Sequence, residues 1–190
     1  MTEVSPGFDL HPGPMVRVIE LLSDILELLT NDDPLDSAES DALVGCPLPP
    51  FCRVAIYPGL EVPWDSCGTG GCGEADGQLY AALQPLTRIP SSDAGGGSCQ
   101  SYQWTALIGA VRCAAKIGDD GQPPSVDAVQ QDAIRQALDA DGIRYAIQCC
   151  PGRPQRLKDA GIVLDSWAPL GPSDCVGGAW TIRGRFDVCC

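Results

Sequence analysis

One run of residues constrains this chain more than any other: Trp104-Thr105-Ala106-Leu107-Ile108-Gly109-Ala110-Val111-Arg112-Cys113. It reads as a strand within 103–116, and both of its alternating faces are largely apolar. A strand that is apolar on two sides has to be covered on two sides. The chain therefore needs a sheet, with other elements packed about that strand.

Two helices are predicted to supply the cover. In the first, from Pro14, Met15, Val18, Ile19, Leu22, Ile25, Leu26 and Leu29 recur at steps of three and four. Arg17, Glu20, Asp24 and Glu27 fall on other faces, Pro14 suits the first turn, and Asn31-Asp32-Asp33-Pro34 ends the helix. The second starts at Ser125, a good N-cap, with Asp127 in its first turn. Val126, Val129, Ala133, Ala137, Tyr145, Ala146 and Cys149 form its expected apolar stripe, although Gly142 argues against one continuous helix.

Further strands are read at 51–57, at 78–89 with Pro85 marking a bulge or an edge, and at 179–188. The last alternates Trp180, Ile182, Gly184, Phe186 and Val188 against Thr181, Arg183, Arg185 and Asp187, as in a half-buried antiparallel strand. A short strand is also read at 162–164. Between these lie an acidic, Pro-rich connection at 31–50 and glycine-rich loops at 61–77 and 91–98. Residues 1–13 carry two Pro-Gly turn signals and read as a flexible arm. The order helix, strands, helix, strand predicts an α+β fold: an antiparallel sheet of about four strands with two long helices on one face, one domain over 14–190 with long loops.

Charge excludes several function classes. The chain holds 25 acidic and 12 basic residues, a formal net charge of −13. A nucleic-acid grip needs a basic face, and acidity repels both DNA and anionic membranes. The apolar stretch 15–29 is interrupted by four charges and cannot span a bilayer, and the N-terminus lacks the pattern of a signal peptide. A cytoplasmic chain is expected, and in that compartment the eleven cysteines are expected mainly as small, buried thiols.

No catalytic constellation is legible. The sole histidine, His11, lies in the arm, and no nucleophile elbow, zinc-protease or phosphate-loop motif occurs. The chain reads as a non-enzyme without a cofactor. Zinc is the strongest rival, with Cys67 and Cys72 at a permitted spacing as weak candidate ligands. Arg144, Arg153, Arg156 and Lys158 read as a salt-bridged surface. Arg183 and Arg185 share a strand face on which an acidic partner subunit could be met.

Four stretches, in this order, resemble tail terminator (tail completion) proteins of long-tailed phages, in the form found in phages of actinobacteria. They are the opening helix; Val62-Pro63-Trp64-Asp65-Ser66-Cys67 with Cys72 and the strand at Gln78-Leu79-Tyr80; the strand 104–113 with its following helix to Cys149-Cys150; and Trp167 through Cys175-Val176-Gly177-Gly178 to Trp180. The resemblance implies a subunit of a homohexameric ring at the head–tail junction of the virion, assembled in the bacterial host's cytoplasm. Such a ring caps the tail tube and then docks to the head connector. Itself, the tail-tube protein and a head-connector protein (stopper or adaptor) are the implied partners, with genome DNA passing through unread and no membrane involved. Trp64, Arg183 and Arg185 are the candidate interface residues. A head-side adaptor or stopper, or a cysteine-rich zinc module, are the alternatives.

Overall fold

A computed structural model describes residues 13–30, 48–59, 62, 77–90, 99–115, 121–170 and 175–189. The arm up to residue 12, the segment 31–47 and most of the loop at 61–77 lie outside the described residues, and with them His11, Trp64, Cys67 and Cys72. The elements run α1 (Pro14–Thr30), β1 (Arg53–Tyr57), β2 (Gln78–Leu83), β3 (Thr87–Ile89), β4 (Cys99–Cys113), α2 (Val126–Gln148), α3 (Gln155–Asp159), β5 (Val163–Pro169) and β6 (Cys175–Cys189). The fold is α+β, with a six-stranded, mostly antiparallel sheet and three helices.

The doubly apolar run became the heart of the sheet. In the strand order β1-β2-β4-β6-β5, β4 lies in the middle and pairs with β6 along its whole length, from Cys99 opposite Cys189 to Cys113 opposite Cys175. Leu79, Ala81, Trp104, Ala106, Ile108 and Ile182 face the helices and join Val18, Leu22, Ile25, Ile143 and Ile147 in the main core. On the opposite face, Tyr80, Ala82, Val111, Cys175 and Ala179 gather with Val62 in a second, smaller core. The two clusters take alternate residues of the same strands, so each strand's period of two separates them.

The sheet is larger than expected and not wholly antiparallel. β1 runs parallel to β2. The strand read at 78–89 is two strands: β2 and β3 lie along the same side of β4, interrupted at Gln84-Pro85-Leu86. Pro85 has no N–H for the ladder, and the break falls there. The uncertain stretch after α2 holds α3, closed by Gly161 at φ +56, and then β5, which is longer than the strand read at 162–164.

Aromatic rings sit over glycines across the sheet. Tyr80 covers Gly109 and Trp104 covers Gly184, each the residue directly opposite in the ladder. A Cβ at Gly109 would lie 2.4 Å from the Tyr80 ring, and one at Gly184 2.6 Å from the Trp104 ring. Bare backbone lets each ring lie flat on the sheet and fill its own core.

α1 follows its periodicity with two changes. Met15 and Ile19 are exposed, whereas Asp24, placed by the helical spacing on a polar face, is buried. Asp24 is tolerated there because Arg156 of α3 accompanies it, donating from Nε and Nη2 to its two carboxylate oxygens. That hydrogen bond, foremost among the causes, holds the Arg156 guanidinium above its ordinary pKa.

α2 departs further. Ser125 caps it as read, accepting from the Ala128 N–H at 3.2 Å, and the helix continues through Gly142. A Cβ at Gly142 would stand 2.3 Å from Leu48 Cδ2, so the glycine makes room for a core side chain. The expected apolar stripe, however, points outward: of its seven residues only Ala146 is buried. The face toward the sheet carries Asp132, Gln136, Asp139, Ile143, Ala146 and Ile147, at helical spacing. Its polar members have fixed partners. Asp132 accepts the Ala115 N–H at 2.7 Å, Gln136 donates to the Gly177 carbonyl, and Asp139 forms a fork with Arg112 at 2.7 and 3.0 Å. The Trp180 indole N–H donates to the Ala140 carbonyl at 2.8 Å.

The Arg112–Asp139 pair is 3% exposed on each side chain. Arg112 also donates to the Pro49 carbonyl at 3.2 Å and lies over the Phe51 ring at 4.0 Å. Asp139→Ala strands a buried guanidinium and is expected to cost about 3–5 kcal/mol in a urea melt. The paired change Arg112→Leu with Asp139→Leu should cost less than Asp139→Ala alone.

Burial pushes the Tyr80 phenol well above its ordinary pKa. Folding thus favours the neutral phenol: its contribution is complete below the unfolded value of about 10 and is lost as pH rises beyond that. Urea melts between pH 8 and 11 should show wild-type stability declining above pH 10 more steeply than that of Tyr80→Phe.

Candidate interaction surface

Two outward-facing surfaces of the described residues have chemistry to offer. The first is the part of the sheet's outer face that the small second core leaves bare. β4 contributes Ser101 and Gln103 there, and β6 contributes Arg183, Arg185 and Asp187. Residues at odd positions of both strands share this face because their even neighbours face the helices. Arg183 and Arg185 are therefore neighbours on one face, as the strand alternation requires.

Both arginines line a shallow cavity of about 240 Å³ with Gln103, Gly161, Val163 and Gly184. Arg183 is half exposed and meets Asp165 of β5 at 2.7 Å. Arg185 donates to the Ser101 hydroxyl at 3.1 Å, and that hydroxyl donates onward to Asp187 at 2.5 Å. The arrangement can hold a carboxylate: a guanidinium presents five N–H donors in a planar fork, and this one spends few of them internally. The cavity is open, and none of the described residues that line it is a general base or a nucleophile.

The second surface is the outer side of α2. Ala133, Ile134, Ala137, Leu138 and Tyr145 point away from the sheet, and Val126 and Leu138 are 81% and 64% exposed. Helical periodicity finds such a stripe readily. It does not tell which of two candidate faces meets the core.

The remaining candidates are distributed as follows. Three of the four basic residues in that stretch have internal partners: Arg144, within α2, pairs with Asp141 at 3.3 Å, Arg156 with Asp24, and Arg153 donates to the Ile147 carbonyl. Trp64, Cys67 and Cys72 lie outside the described residues. Among the described residues no group of three or more His, Cys, Asp or Glu side chains could hold a metal ion, and no helix is long and apolar enough to cross a membrane.

The cysteines differ from the expectation of thiols. Cys52, Cys99, Cys150 and Cys175 are disulfide-bonded, whereas Cys113 and Cys149 carry thiols. Sequence gave little warning, because cysteine spacing alone does not decide pairing. At most seven of the eleven cysteines should react with a thiol reagent under denaturing, non-reducing conditions, and all eleven after reduction. A count of eleven without reduction would overturn the disulfides.

No protein-family model matches the chain, and no curated protein matches it.

Proposed function

We propose that the chain is a non-enzymatic virion assembly protein: a ring-forming tail terminator that caps a phage tail tube and joins it to the head connector. The observation that carries this reading is the outer side of α2. A stripe of Val, Ala, Ile, Leu and Tyr on the solvent side of a helix has no role in holding this fold together, because the other side of the helix does that. Exposed apolar surface of this kind marks a place where another protein sits. The ordered likeness of four sequence stretches to tail terminators supplies the kind of assembly.

Other features support the reading. Among the described residues the sheet is open at both edges, with β1 and β5 each paired on one side only. Open edges and an apolar helix face are what a subunit needs to meet two neighbours at once, as in a ring with head-to-tail contacts. A net charge of −13 per subunit suits a ring through which DNA slides without adhering. The disulfides belong to the released particle, since a reducing cytoplasm disfavours them during assembly.

Electron microscopy of tail tubes mixed with the purified chain tests the proposal. Capped tube ends and a hexameric ring are expected. Binding to the head connector with bare tubes would move the chain to the neighbouring adaptor or stopper position, and no binding to either would end the reading. Leu138→Asp should leave the thermal melt within a few degrees of wild type, because the side chain lies outside the core, while reducing ring formation at least about tenfold.

A further inference from the structure

Cys113 and Cys175 close one end of the β4–β6 ladder as directly opposed partners. Cys113 carries a thiol, and Cys175 is disulfide-bonded. Both belong to the outer face of the sheet. Cys175 lies in the second core with Val111, and Cys113 follows Val111 by two residues.

The hydrogen bonds of the neighbouring strands show how near the two stand. In an antiparallel ladder, opposed residues alternate between a hydrogen-bonded pair and a closer pair without such bonds. The Thr105 carbonyl turns away from β6 and accepts the Gln84 N–H, just after β2, at 3.0 Å. The Gly177 carbonyl turns away from β4 and accepts the Leu170 N–H, just after β5, at 2.9 Å. Thr105 with Arg183 and Val111 with Gly177 are therefore pairs of the closer kind, and the register runs on evenly to the end of the ladder. Cys113 with Cys175 comes two residues past Val111 and is of the same kind. The Cα atoms of such a pair stand about 4.5 Å apart, inside the span of roughly 4.4–6.8 Å that a disulfide bridges.

We propose that this rung is a site of thiol–disulfide exchange, at which Cys175 can be bonded either to its present partner or to Cys113. The Cys113 thiol gives its proton to solvent, and the thiolate attacks the Cys175 Sγ. A Cys113–Cys175 bond forms and the bond from Cys175 to its present partner breaks. The leaving sulfur keeps the electron pair and takes a proton from solvent. One thiol is consumed and one is released, so neither an oxidant nor a reductant is needed. Cys113 is partly exposed and can ionise in water, whereas Cys175 is only 5% exposed. A thiol across the ladder thus reaches a sulfur that dissolved thiols reach poorly. Exchange moves the covalent tie onto the junction of the two longest strands.

Peptide mapping of the full-length chain, purified without reductant, tests this. Samples are held at about pH 8.5 and about pH 4, labelled with maleimide and read by mass spectrometry. A peptide joining Cys113 to Cys175 is expected at the higher pH, forming about tenfold more slowly for each pH unit below the thiol's pKa. The number of labelled cysteines should stay constant while the label moves from Cys113 to the former partner of Cys175. Cys113→Ser should hold Cys175 in a single linkage at both values. A mixture of isotope-labelled and unlabelled protein should give joined peptides of one isotope only, as exchange within a chain requires. Cys113 fully labelled at both pH values, a joined peptide that forms only in urea, joined peptides of mixed isotope, or a Cys175 labelled from the start would each overturn the inference.

Discussion

Arg112 is the point on which the arrangement of layers depends. It sits on the central strand, facing the helices, in a core that would not tolerate a lone cation. Asp139 neutralises it from α2, Pro49 accepts another of its hydrogens, and Phe51 lies against its flat face. A buried ion pair adds little net stability, because desolvation offsets most of the attraction. What it supplies is specificity. Turning α2 about its axis would bury Ile134 and Leu138 in place of Ile143 and Ile147, a nearly even exchange at about 1.5–3 kcal/mol per side chain. Hydrophobicity alone barely distinguishes the two rotations. Leaving Arg112 without its carboxylate does, and Asp132 and Gln136 add weight to the same side.

That balance explains what could be read from the residues and what could not. The central strand, the first helix and the last strand were legible because each has one dominant pattern. β4 is apolar on both faces, α1 repeats at three and four, and β6 alternates. The Ser125 cap was legible because a side-chain oxygen before a helix has one common use. The face of α2 was not, since its inner stripe is the more polar one and only the partners reveal why. Asp24 was misplaced for the same reason: Arg156 follows it by more than a hundred residues. The parallel β1–β2 pair and the length of β5 depend on long-range pairing that no local signal encodes.

The candidate surface divides in a similar way. Strand alternation alone puts Arg183 and Arg185 side by side, so that part of the surface was visible from the start. Their cavity needed Gly161 and Val163 from the neighbouring strand region, which the residues did not announce. The disulfides were hidden too, because a reading by compartment favoured thiols and pairing is a matter of proximity.

The continuous pairing of β4 with β6 has a temporal consequence. The strand that completes the middle of the sheet is synthesised well after the strand it joins, with all of α2, α3 and β5 in between. A nascent chain that has emerged through β4 exposes an apolar edge with nothing to close it. Neither core is finished until residues 175–189 leave the ribosome, since Ile182 belongs to one and Cys175 and Ala179 to the other. Such non-local closure is slow, and it postpones the decisive folding step until β6 has joined β4.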